Sequence, residues 1–175
     1  ALSTARARAS SSRPDPPRIS LARFVAAQGD IGKFGKVELT DVVDFAELPD
    51  GKVLSATENG ALLLWDGNFI KARLMRPPDA ETGADVYCHA GAVHVVRLER
   101  ADGCFVTGGA DGKVCWWDFE TIAAAEIDAD KSLDFHLSPS DEAVVGEGVV
   151  VKAMVRGTGG GGDHYLIHDA SGALW

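Results

Sequence analysis

The chain has 175 residues, 17 basic against 26 acidic side chains, a formal net charge of -9 and 46% hydrophobic residues. That length and apolar content are enough for the core of one ordinary domain, and the acidic balance argues against general nucleic-acid binding. No stretch approaches the roughly eighteen consecutive apolar residues of a membrane-spanning helix, so membrane insertion is not expected.

The first eighteen residues, ALSTARARASSSRPDPPR, carry Arg6, Arg8, Arg13 and Arg18 against a single acid, Asp15. A segment so poor in large apolar groups cannot offset its ordering entropy, and an extended or disordered segment is expected over 1-28. A tail or linker is preferred over a transit peptide, which such a composition also permits. SLARFVAAQ, residues 20-28, reads as a short helix or as no element at all. The start at Ala1 is read as the start of a piece of something longer.

Beyond residue 30 the pattern changes to short runs rich in β-branched and aromatic residues, bounded by Gly, Asp, Asn or Pro. In order they are VVDFAEL, KVLSAT, ALLLWD, VHVVRLE, CFVTGG, KVCWWD, VVVKAMVR and HYLIHD. Asp50-Gly51, Asn59-Gly60, Asp102-Gly103 and Asp111-Gly112 are hairpin signals, because tight two-residue turns need positive φ. These signals repeat. Asp50-Gly51, Asn59-Gly60 and Trp65-Asp66 each recur 52 residues later, as Asp102-Gly103, Asp111-Gly112 and Trp117-Asp118. A weaker third copy follows at an offset of 60, with Ser171-Gly172 matching Asp111-Gly112.

Each full copy reads as four strands. Val42-Glu47, Lys52-Thr57, Ala61-Trp65 and Phe69-Leu74 make the first; Val93-Leu98, Cys104-Gly108, Lys113-Asp118 and Ile122-Ile127 make the second. A period near fifty with a terminal Trp-Asp is the signature of a WD-type propeller blade. The fold class expected is all-β, a partial β-propeller over 29-175 with two full antiparallel blades and part of a third. Two insertions stand out as exposed rim loops: PPDAETGADVY, residues 77-87, and GTGGGG, residues 157-162. The glycine run lacks the Lys-Ser/Thr sequel of a phosphate-binding loop and reads as linker.

In such a blade His89, Thr107, Asp111 and Trp117 form a hydrogen-bonded chain that satisfies buried polar groups. Ser55, Asn59 and Trp65 are the partial counterpart in the first copy, where Val37 stands 52 residues before His89. His89 and Asp111 resemble two members of a catalytic triad, but Thr107 would be interior and no nucleophile accompanies them. Trp116, on the face opposite Trp117, is expected to pack on the neighbouring blade. His164 and His168 lie on one strand face about 13 Å apart, too far for a shared metal. Cys88, Cys104 and Cys115, an odd number without framework spacing, suggest reduced cytosolic thiols. No catalytic residue, metal or cofactor is expected.

The wording of residues 47-74, of CHAG at 88-91 and of TGGADGKVCWWDFETI at 107-122 resembles the large WD-repeat ciliary proteins, over about residues 29-155. The resemblance implies an N-terminal propeller followed elsewhere by coiled coil, and a structural role in the motile axoneme. It also implies partners: a sister WD-repeat protein, an inner-arm dynein held by a tether complex, and other axonemal proteins. Regulation of ciliary beating and residence in the cytoplasm, the cytoskeleton and the ciliary or flagellar axoneme follow from the same resemblance. The alternatives are a WD scaffold of another cytosolic complex and, from a different class, an enzyme or metal-dependent binder. Two and a half blades do not close a ring, so this sequence is expected to be part of a longer propeller.

Overall fold

The computed structural model describes residues 40-99, 102-125, 132-157 and 164-175. The expected N-terminal segment over 1-28, the candidate helix over 20-28, Val37 and all of the glycine run except Gly157 lie outside them.

The first blade is built from β1 (Val42-Glu47), β2 (Val53-Thr57), β3 (Leu62-Asp66) and β4 (Phe69-Met75), each antiparallel to the last. The second begins with β5 (Val93-Glu99), β6 (Cys104-Gly109) and β7 (Lys113-Asp118), again antiparallel. A third unit starts as the hairpin of β10 (Val151-Arg156) and β11 (Tyr165-Asp169). The structure is all-β, as a propeller fragment requires.

Strand alternation explains how the blades stack. Val93, Val96, Phe105, Cys115 and Trp117 turn one face of the second sheet towards Leu54, Leu62, Leu64, Ala72 and Leu74 of the first. Val95, Val106 and Val114 turn the other face towards Val149, Val151, Met154 and Ile167. Both Val93 and Val96 serve the first face because the β5 register shifts between Val93 and Val95. Trp116 packs on this second cluster and meets the Tyr165 ring edge-on at 5.9 Å. Side chains buried as fully as Trp117 and Phe105 each contribute about 1.5-3 kcal/mol over exposure.

The second blade departs from expectation in its fourth strand. Residues Phe119-Ala123 form a short helix, α1, where a strand over Ile122-Ile127 was expected. Asp118 caps it, its carboxylate accepting from Thr121 N-H at 2.7 Å, and Ile122 is buried against the common core. The alanines after Ile122 favour a helix and give a strand no branched side chains to pack. The fourth strand is β9 (Asp141-Val144), antiparallel to β7. Between them β8 (Asp134-His136) joins the other sheet, pairing with β4 in parallel, so the blades are not antiparallel throughout.

The blades meet at two equivalent turns. Gly60, at φ 92, sits so close to the loop before β5 that an added Cβ would lie 2.2 Å from His89 O and 2.9 Å from Gly91 O. Gly112, 52 residues on, is pressed the same way on Val149 O at 2.8 Å and Gly146 O at 3.0 Å. The Asx-Gly turns therefore do more than reverse the chain: their missing side chains let consecutive blades touch through backbone.

Candidate functional site

The polar interior of the second blade runs from turn to core. Trp117 Nε1-H donates to Thr107 Oγ1 at 2.8 Å, and Thr107 Oγ1 lies 2.8 Å from His89 Nε2. His89 Nδ1 is 2.9 Å from Asp111 Oδ1. A carboxylate only accepts, so Nδ1-H donates to Asp111, and in the neutral ring Nε2 then accepts from the Thr107 hydroxyl. Asp111 also accepts from Ala90 N-H at 3.0 Å and Lys113 N-H at 3.2 Å, joining the loop before β5 to the β6-β7 turn. Burial works to raise the Asp111 carboxyl, but the His89 and backbone donors outweigh it and hold it below the ordinary range. Thr107 is fully buried and its oxygen is engaged on both sides, so this grouping presents no nucleophile to a substrate.

Space decides where the imidazole sits. A Cβ at Gly109 would be 2.5 Å from His89 Nδ1, so the ring occupies the room that the glycine leaves. At the equivalent position the first blade has Thr57, whose Oγ1 lies 2.6 Å from Ala61 O and 2.7 Å from Asn59 Oδ1. The lower part of the chain recurs there, with Trp65 Nε1-H donating to Ser55 Oγ at 2.8 Å. The third unit has Asp169 at this place. It accepts from Ser171 Oγ-H at 2.6 Å, Ala173 N-H at 3.0 Å and Trp175 Nε1-H at 3.0 Å. The Ser171 and Trp175 donors draw its carboxyl down to about 2. Thr57 and Asp169 were missed in the sequence, although the 52-residue register sets Thr57 against a glycine and so signals a different filling.

Loop 77-87 is exposed along residues 77-85 but folded on itself. Asp79 accepts from the N-H groups of Glu81 and Thr82, at 3.1 and 2.8 Å, and from the Thr82 hydroxyl at 2.8 Å. Its acids are Asp79, Glu81 and Asp85, and it holds no basic residue. At its root a cavity of about 350 Å³ opens between the blades, with Tyr87, Asp85, Arg76, Lys113, Asp111 and His89 among its walls. Arg76 forms part of the cavity wall and is held on three sides: its Nε-H donates to Cys88 O at 3.0 Å and its Nη2-H to Glu142 Oε2 at 2.5 Å, while its guanidinium lies 5.7 Å from the Trp117 ring centre. Lys113 takes the other Glu142 oxygen at 2.6 Å. The Lys113 and Arg76 hydrogen bonds hold the Glu142 carboxyl down to about 2.

The thiols of Cys88 and Cys115 are buried, and burial pushes both up to about 12, so neither is a thiolate near neutral pH. His164 and His168 lie at the two ends of the β11 region, both exposed. Among the described residues no three His, Cys, Asp or Glu side chains converge as metal ligands.

No family model matches the chain. It is 46% identical over 148 residues to cilia- and flagella-associated protein 44 of Chlamydomonas reinhardtii, and 40% identical over 148 residues to the protein of that name from Mus musculus. Over that stretch the chain is a homologue of cilia- and flagella-associated protein 44. The Trypanosoma brucei brucei protein of the same name is 31% identical over 160 residues. Each match covers 85% of this chain, but the chain spans only 8% to 9% of the length of these cilia- and flagella-associated protein 44 relatives. The names place the relatives with cilia and flagella and point to no enzyme family.

Proposed function

We propose that the chain is a non-enzymatic, structural part of a motile cilium or flagellum: a piece of propeller that serves as scaffold within the axoneme. The observation that carries this reading is the relationship to three proteins of one ciliary name, from an animal, an alga and a trypanosome. The partners proposed are a sister WD-repeat protein, the tether complex of an inner-arm dynein, and other axonemal proteins, with beat regulation as the outcome.

The geometry favours the rim loops over the sheet edges as the contact surface. On β8 the Asp134 N-H is taken by Ser132 Oγ at 3.0 Å, and on β9 the Glu142 N-H is taken by Asp141 Oδ1 at 2.8 Å. A side chain just before β8 and one on β9 itself thus occupy donors that an added strand would need. Loop 77-87 offers free surface and an acidic character that suits a basic partner. The glycine-rich insertion at 157-162 is the second candidate. The test deletes each insertion from the intact protein and follows axonemal incorporation and beat waveform. Loss of incorporation or an altered waveform on deletion of 77-87 is expected. Normal dynein tethers and normal swimming in cells without the whole protein would refute the reading.

A further inference from the structure

The chain between β7 and β9 leaves its own blade, lends β8 to the outer edge of the first, and returns. We infer that the described residues of 119-144 are a clasp by which the second blade holds the outermost strand of the first and fixes the wall of the cavity between them.

Three sets of contacts form the clasp. The backbone pairs Arg73 with Asp134, Leu74 with Phe135 and Met75 with His136. It is closed at both ends by Arg73 N-H to Leu133 O at 2.7 Å and Leu137 N-H to Met75 O at 2.9 Å. Two arginines then take two carboxylates. Arg73, on β4, donates to both oxygens of Asp134 at 2.5 and 2.9 Å, and Arg76, one residue past β4, reaches Glu142 on β9. The two-pronged contact of Arg73 with Asp134 fixes orientation as well as distance, and Arg76 adds a single bond to Glu142. Finally Ile122, Ala125 and Leu137 are buried in the same cluster as Leu54, Leu64 and Leu74, with Phe119 and Phe135 packed on it. Lys52, just before β2, adds a bond to this third set, its Nζ-H donating to Ala123 O at 2.8 Å.

The arrangement is unequal between the blades. β4, the fourth strand of the first blade, has β8 of the second paired on its outer edge, whereas β9, the fourth strand of the second blade, ends its sheet among the described residues. An outermost strand frays first when nothing pairs with it. The outer strand of the first blade therefore shares the fate of the clasp. Because Arg76 both latches the clasp and walls the cavity, the shape of the cavity depends on the clasp being shut.

Hydrogen-deuterium exchange on the intact protein reads this directly. Asp134→Ala is expected to speed exchange over residues 42-75 by about tenfold while residues 93-118 keep their protection. Unchanged exchange over 42-75, or an equal rise over 93-118, overturns the clasp. Should Asp134→Ala not yield folded protein, the exchange pair Arg73→Asp with Asp134→Arg decides. The clasp requires the pair to regain protection over 42-75 that Arg73→Asp alone loses, and a pair no better than the single change overturns it.

Discussion

The first and second blades carry the same turn at the same register, yet they fill its interior differently. In the second, Gly109 leaves room for the His89 ring, which joins Asp111 to Thr107 and Trp117. In the first, Thr57 occupies the equivalent position and its own hydroxyl meets Asn59 and Ala61 O, while Trp65 and Ser55 keep the lower bond. The third unit solves the same problem with Asp169. A buried turn must satisfy its donors, but the geometry accepts several chemistries. The position two residues before the Asx of the turn decides which one fits, because it controls the room available to a ring arriving from the loop before the blade.

What the blades share is the joint, and breaking it is expected to have the largest effect. Gly60→Ala and Gly112→Ala each drive a methyl into backbone carbonyls of the next blade, at a positive φ besides. Each should cost the intact protein about 2-4 kcal/mol in denaturant unfolding, with similar values at the two joints. Gly51→Ala supplies the control: its φ is 88 but nothing lies within 4 Å, so it should cost only about 1-2 kcal/mol.

The difference between the blades is tested at the next level. Gly109→Ala pushes on the imbedded His89 ring and should cost about 1-3 kcal/mol. Thr57→Gly, which makes the first blade resemble the second without a ring to fill the space, should cost about 1 kcal/mol through lost hydrogen bonds and added chain entropy. A negligible cost at Gly109 would show that room for the ring is not what separates the two blades. Asp111→Ala leaves buried donors unmatched and should lower stability by about 1-3 kcal/mol, read as a drop in the thermal midpoint. Asn59→Ala, serving a shorter network, should fall at the lower end of that range.

The smallest expected effect at neutral pH is electrostatic. Asp134 is lowered mainly by the Arg73 hydrogen bond, and Glu142 is held at about 2 by Lys113 and Arg76, against an ordinary 4.5. A depressed carboxyl contributes stability that is present above its unfolded value and is lost as pH falls through its folded one. Urea midpoints should therefore hold from neutral pH to about 5 and then fall steadily towards pH 2. Glu142→Gln should flatten the part of that fall due to this group. An unaltered pH profile would mean that the Arg76 latch does not titrate with folding.

Much of the architecture follows from local sequence. Asp50-Gly51, Asn59-Gly60, Asp102-Gly103 and Asp111-Gly112 locate the reversals, alternation assigns Trp116 and Trp117 to opposite faces, and one offset reveals two blades. Such features are legible because turn chemistry and side-chain period act over a few residues. Residue identity also named His89, Thr107, Asp111 and Trp117, whose hydrogen bonds run through the second blade. Tertiary structure alone decided the rest. Asp141-Val144 has little strand character in its side chains and is a strand because β7 offers it a backbone edge. Asp134 and Glu142 find Arg73 and Arg76 across more than sixty residues. Gly60 and Gly112 owe their tight seats to carbonyls of another blade. Pairings of this kind depend on which backbone groups the fold brings together, and no local period records that.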